Sequence, residues 1–255
     1  MKINKNHIFS ILVGLVFLVI FSGVGSAVEI IINEDYVENN LIEGLEKVEL
    51  NGEKRIHMDL GGADIYFDNS LSDIYISEKL RVRRSAGKLT IYNPDSGMFK
   101  WFDDNYKVVV GTAEKFDLIN INAGGINVSG IVFAEELNIN AGGIDIDGEF
   151  HCDDISIDGA GMDIDGFIKS RYIAINGAGI DMDLDVAEIE DFKIKGVGIS
   201  ADIKYMDTWS GIRHISITGV GGDLNVRVPD YNGKEENGQL DIDTGGIIST
   251  DIDYY

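Results

Sequence analysis

From Ile119 onward the chain alternates apolar and polar residues, breaks at a glycine pair, and then alternates again. Ile119–Gly130 reads I-N-I-N-A-G-G-I-N-V-S-G and Leu137–Gly148 reads L-N-I-N-A-G-G-I-D-I-D-G. Ile155–Gly166 (I-S-I-D-G-A-G-M-D-I-D-G) and Ile173–Leu184 (I-A-I-N-G-A-G-I-D-M-D-L) follow, and the four starts are evenly spaced. Further copies begin at Phe192, Ile215 and Leu240, at steadily longer intervals, so the later units carry loop insertions. An outlying copy occupies Ile56–Phe67. Period-two alternation predicts a strand with one face buried. The glycines permit positive φ and close backbone approach, so the chain bends sharply between the two strands of a unit. A helix is excluded by the glycine density and by the lack of any 3.6-residue period.

One unit cannot bury its apolar face alone. Stacked units can, by aligning equivalent Ile, Leu, Met and Val residues into one continuous core. A left-handed β-helix would repeat its Ile residues every six positions, and propeller blades need about 40 residues or more. Neither pattern is present. The expectation is an all-β fold, a single β-solenoid of stacked two-strand coils of about 18 residues each.

Residues 119–255 are the regular repeats. Residues 28–118 are less regular, with strand-like runs at Val48–Leu50, Arg55–Met58, Asp73–Ser77, Leu80–Val82, Leu89–Tyr92 and Tyr106–Val110. They are expected to form irregular N-terminal coils and a cap of the same solenoid, since a regular terminal edge would recruit other chains. Residues 1–27 read as an export signal or an N-terminal anchor: Lys2 and Lys5 precede the apolar run Ile8–Phe21, and Gly25-Ser26-Ala27 supplies small residues for cleavage. Apolar and small residues continue to Val28, long enough for an uncleaved anchor. Either outcome places the remainder outside the cytoplasm, secreted or in the cell envelope.

Composition narrows the partners. The 255 residues include 31 Gly and only 2 Pro, with 44% apolar, which is not a disordered composition. A formal charge of −23 makes nucleic acid and anionic membrane surfaces poor partners, since both are polyanions. A membrane is expected only through the N-terminal anchor, and the partner is expected to be a protein or glycan at the cell surface. Cys152 is the single cysteine, so no intrachain disulfide forms, and it reads as a small buried apolar residue. His7, His57, His151 and His214 are scattered, without zinc-site spacing.

The run from Val48 to Tyr92, with its Gly61-Gly62-Ala63-Asp64-Ile65 turn, leads into V-V-V-G-T-A-E-K-F-D-L at Val108–Leu118. Glycine-turn repeats and the S-I-T-G-V-G-G-D-L-N-V-R-V-P segment, Ser216–Pro229, come after it. This succession resembles the putative-adhesin, or toastrack, family of envelope domains over roughly residues 45–255. The turns here are Ala-Gly-Gly or Gly-Ala-Gly where the family often has a Ser-Gly-Asp step, and Gly111 stands where it usually has proline. The resemblance implies surface adhesion or envelope sensing and brings no catalytic residues.

Stacking at the repeat spacing makes one sharp prediction about chemistry. Asn127, Asp145, Asp163, Asp181 and Ser200 should form one solvent-facing column, and Ser129, Asp147, Asp165, Asp183 and Asp202 the next. Coils stack about 4.8 Å apart, where a like-charge pair costs about 1 kcal/mol in water and less with salt. Asn122, Asn140, Asp158 and Asn176 form a milder column on the first strand. Two readings follow. The carboxylates bind calcium, which takes several oxygens in flexible geometry, or they form a solvated acidic face that keeps the fold soluble. Gly159–Gly166 resembles a calcium-binding nonapeptide, but its glycine turn recurs once per two-strand unit, not once in nine positions. Lys169, Arg171, Lys193 and Lys195 could offset some of this charge.

A second cluster, Met98–Tyr106, carries Phe99, Trp101 and Phe102 beside acidic residues, and Trp209 sits in the insertion 205–212. Such aromatics stack on sugars or insert at interfaces when exposed, or bury their rings over the solenoid. Phosphate loops are excluded, since no GxxxxGK[ST] occurs. A calcium-dependent polysaccharide-binding or lyase protein, with Arg171 or Arg213 as proton acceptor, is a third class; so many equivalent Asp residues leave no distinguished acid–base pair. The expectation is a non-enzymatic adhesin or envelope interaction scaffold, with an envelope-stress sensor module as the alternative.

Overall fold

The structure is a computed structural model that describes residues 41–94, 105–207, 211–229 and 238–255. The N-terminal segment 1–27 lies outside the described residues, as do Phe99, Trp101, Phe102 and Trp209. Strands are β1 (Glu46–Val48), β2 (Arg55–Asp59), β3 (Gly62–Asp68), β4 (Ile74–Ile76), β5 (Arg81–Ser85) and β6 (Lys88–Tyr92). They continue as β7 (Asn105–Gly111), β8 (Phe116–Lys169), β9 (Tyr172–Ala187), β10 (Asp191–Tyr205), β11 (Gly211–Val228) and β12 (Gly238–Tyr254). The chain is almost all β, in one large, mostly parallel and open sheet.

Alternation decides which side chains are inside. In β9 and β10 every second residue is buried, and the register stacks like on like: Ile155, Ile173, Phe192 and Ile215 form one buried column. Met162, Ile180 and Ile199 form another. Each such side chain contributes about 1.5–3 kcal/mol by leaving water, which no single coil could collect. The long strand β8 stacks on itself one repeat apart: a Cβ on Gly142 would lie 2.6 Å from the Gly124 carbonyl oxygen, and one on Gly148 would lie 2.6 Å from that of Gly130. Glycine is required there because the coils touch through their backbones.

Two features differ from the expectation. The last copy aligns two residues later than its spacing implied, Ile215 facing Ile242 while Leu240 faces Arg213. A bulge between Val220 and Asp223 then sets two residues against one. The N-terminal strands are also not simply further parallel coils. β2 and β3 pair in parallel with β8, but β1–β4, β4–β7 and β5–β6 are antiparallel. Most of the strand-like runs overlap strands, although β1 (Glu46–Val48) lies before all but one residue of the Val48–Leu50 run, and the strand directions do not follow from the alternation. Alternation is identical in both directions, so direction leaves no trace in the pattern.

Candidate functional site

The strand register aligns several of the acidic positions in columns. In register, Asp163 faces Asp181, which faces Ser200 and then Asp223. The second column runs Asp165, Asp183, Asp202, Asn225 and Asp251. Asp145, Asp147, Asp163, Asp165, Asp181 and Asp183 are exposed, and Asp202 is half-buried. Their outward aim follows from the pleat: the residues between them, Ile146, Ile164 and Met182, fill the core. The structure also lengthens the columns, since Asp64 stands opposite Asn127. These outlying members escape the sequence reading because they lie beyond the evenly spaced repeats.

Side-chain amides relieve parts of the columns, and Lys107 stands opposite Asp64 at one end. Asn127 Nδ2 donates to Asp64 Oδ1 at 2.7 Å, Asn225 Nδ2 to Asp202 Oδ1 at 2.8 Å, and on the first-strand column Asn176 Nδ2 to Asp158 Oδ1 at 2.9 Å. Among the described residues no Lys or Arg forms an ion pair with any of the seven predicted carboxylates. Lys169 pairs with Glu188 at 2.8 Å, Lys193 with Asp191, and Arg171 lies over the Tyr172 ring. Crowding shows in Asp165, whose carboxyl is pushed above the usual range first by burial and then by the charges of Asp163, Asp183, Asp147 and Asp181.

Beside the first column runs a shallow groove of about 620 Å³, lined by Gly125, Gly143, Gly161, Asn127, Asp145 and Asp163 among others. The carboxylates stand in parallel rows and do not converge: among the described residues no three His, Cys, Asp or Glu side chains meet where they could hold one metal ion. His57, His151 and His214 each contact a single carboxylate, Asp59, Glu149 and Asp241. Cys152 is buried, and burial pushes its thiol up to about 12, so it stays protonated and unreactive.

No family model and no curated protein matches the chain. Several solved structures are similar to it, two of them as follows. One is a "putative adhesin" of Bacteroides fragilis, 11% identical, with a TM-score of 0.46 over 81% of this chain and 95% of that one. The other is a "putative lipid binding protein" of Parabacteroides distasonis, 18% identical, with a TM-score of 0.41 over 83% of this chain and 96% of that one. Likeness at this level carries no functional inference.

Two surface features escaped the sequence reading. Val197, Val220 and Ile247 line up in register at the glycine bends and are all exposed. At the N-terminal end, β5 carries Arg81, Arg83 and Arg84 in five residues of an acidic protein. Arg84 Nη1 donates to Glu53 Oε1 at 2.5 Å and thereby ties β5 to the loop before β2. The strand-like run Leu80–Val82 overlaps β5 at Arg81 and Val82, but nothing in it marks the edge of a sheet.

Proposed function

We propose that this chain is a non-enzymatic, extracytoplasmic interaction scaffold, a β-solenoid whose two carboxylate columns form the recognition face for a cationic partner. The observation that carries the reading is the register Asp163–Asp181 and Asp165–Asp183–Asp202, which holds equivalent carboxylates in rows on a rigid backbone ladder. Evenly spaced, equivalent carboxylates favour multivalent contact over catalysis, since acid–base chemistry needs two groups whose environments differ. Location outside the cytoplasm is supported by Lys2, Lys5, the Ile8–Phe21 run and Gly25-Ser26-Ala27.

The test is binding of the full chain to immobilised oligolysine at about 0.15 M salt, where exposed charges more than about 8 Å apart are screened. Asn replacements at Asp145, Asp163 and Asp181 should weaken capture at least tenfold. Neutralising Asp117, Glu135 and Asp154, exposed acids away from the columns, removes the same charge and should weaken it only slightly. Equal losses from both sets would mean that bulk charge, not the columns, does the binding.

A further inference from the structure

Two edge strands of the sheet are complementary. The sheet branches at β8, one branch ending at β1 and the other running β2–β6–β5, while β9–β10–β11–β12 lead the other way; β5 and β12 each have one strand partner among the described residues. The outer side of β12 has no strand partner among the described residues. Ile252 stacks on Val226 and Tyr254 on Val228, yet Val226 and Val228 are 1% and 2% exposed while Ile252 and Tyr254 are 38% and 52% exposed. A bare strand edge of this kind pairs readily with another strand.

The charges of β12 say what kind of strand fits. Asp241-Ile242-Asp243 and Asp251-Ile252-Asp253 alternate carboxylate and apolar residues, and residues 238–255 contain no Lys, Arg or His. On its inner side β12 meets His214 at 3.1 Å from Asp241 and Arg227 opposite Asp253. Asp243 and Asp251 face only Ser216 and Asn225. A strand completing the outer side needs basic and apolar residues in alternation.

β5 has that pattern. Arg81 and Arg83 are exposed and flank Val82, which packs partly on the core. Arg81 donates to the carbonyls of Glu78 and Leu80, and Arg83 lies 5.2 Å over the Tyr92 ring. Neither arginine is paired with a carboxylate among the described residues. We propose that the β12 edge of one copy docks on the β5 edge of a second, so that copies associate head to tail. Arg–Val–Arg meets Asp–Ile–Asp in either strand direction, because both repeat every two residues. Two β12 edges brought together would instead oppose eight carboxylates without a cation. A head-to-tail contact leaves a free end of each kind, so it propagates into an open chain of copies unless its rotation closes a ring.

The net charge of −23 repels copies at long range, so association should appear near 0.15 M salt, where that repulsion is screened and contact pairs persist. Sedimentation of the full chain in neutral detergent should then show mass rising with concentration. R81E/R83E should stop the rise, and so should D243K/D251K, whose inner neighbours are uncharged. Mixing the two non-assembling variants should restore contact between copies, because R81E/R83E keeps the native β12 edge and D243K/D251K keeps the native β5 edge. Asn at Asp145, Asp163 and Asp181 should leave assembly unchanged, which separates this result from the fate of the recognition face. A wild-type chain that stays at constant mass would overturn the proposal. So would assembly lost in only one of the two variants, which would point to paired β12 edges or another surface, and so would mixing without rescue.

Discussion

At the residue scale, the coils are spaced by glycine backbones. A Cβ on Gly177 would drive into the carbonyl oxygen of Gly159 and the Cε of Met162, whereas a Cβ on Gly161 meets nothing within 4 Å. Gly177→Ala should therefore cost about 1–3 kcal/mol, as overpacking does, and Gly161→Ala should stay within about 0.5 kcal/mol. Denaturant midpoints of the two variants check the contrast, and equal losses would mean that the glycines serve only the bends. Asp165 gives a second residue-scale test. Its carboxyl is raised by burial and by its neighbours, so the folded state binds a proton more readily than the unfolded one. Its ionisation thus works against folding above the raised value, and that handicap disappears as pH falls toward about 4, the ordinary carboxylate range. Asp165→Asn should raise the melting temperature at pH 7 by about 1–3 °C. The gain should vanish by about pH 4. A gain that persists in acid would point to packing rather than to charge.

At the scale of elements, the N-terminal strands titrate the opposite way. Burial disfavours the ionised form of Glu53, but hydrogen bonds from Arg84 and from the Asn51 backbone outweigh it and hold the carboxyl below its usual range. Asp73 is held low first by its hydrogen bond from Lys47, at 2.8 Å, and it also accepts the Leu50 N–H. Both depressed groups contribute stability above the ordinary carboxylate pKa of about 4, and lose it as pH falls through their lowered values. Glu53→Gln should therefore destabilise by about 1–2 kcal/mol at pH 7, modest because Arg84 is partly exposed, and by much less in acid. Hydrogen exchange should quicken in β5 and β6 and not in β9 and β10, since the loss is local. Uniform quickening would mean that Glu53 supports the whole sheet.

This region also marks how far the residues alone can be read. The columns through Asp163 and Asp181 are legible because equal spacing leaves one alignment. The antiparallel β5–β6 pairing is not, because alternation is blind to strand direction. The last coil falls two residues away from its expected match for a related reason: L-D-I-D from Leu240 keeps the same faces inward whether Leu240 or Ile242 is matched to Ile215, and only a one-residue slip would be visible. Gly246 facing Gly219 settles that register in three dimensions.

At the scale of the molecule, the carboxylate rows decide how the protein meets divalent cations. Rows about 4.8 Å apart let an ion relieve two or three neighbours at once, but the side chains do not close around a point. Calcium chosen over magnesium would require a cage of about six to eight oxygens at roughly 2.3–2.6 Å, whereas magnesium keeps its waters and acts from outside them. Open rows should respond to charge and hardly to ion size. Calcium and magnesium at millimolar concentration should therefore raise the melting temperature by similar amounts, and more than sodium at equal ionic strength, as ligands of the native state do. Asn at Asp145, Asp163 and Asp181 should remove most of that difference. A rise confined to calcium would show that the rows close into a cage on binding, and the face would then be a calcium site rather than a surface for cationic partners.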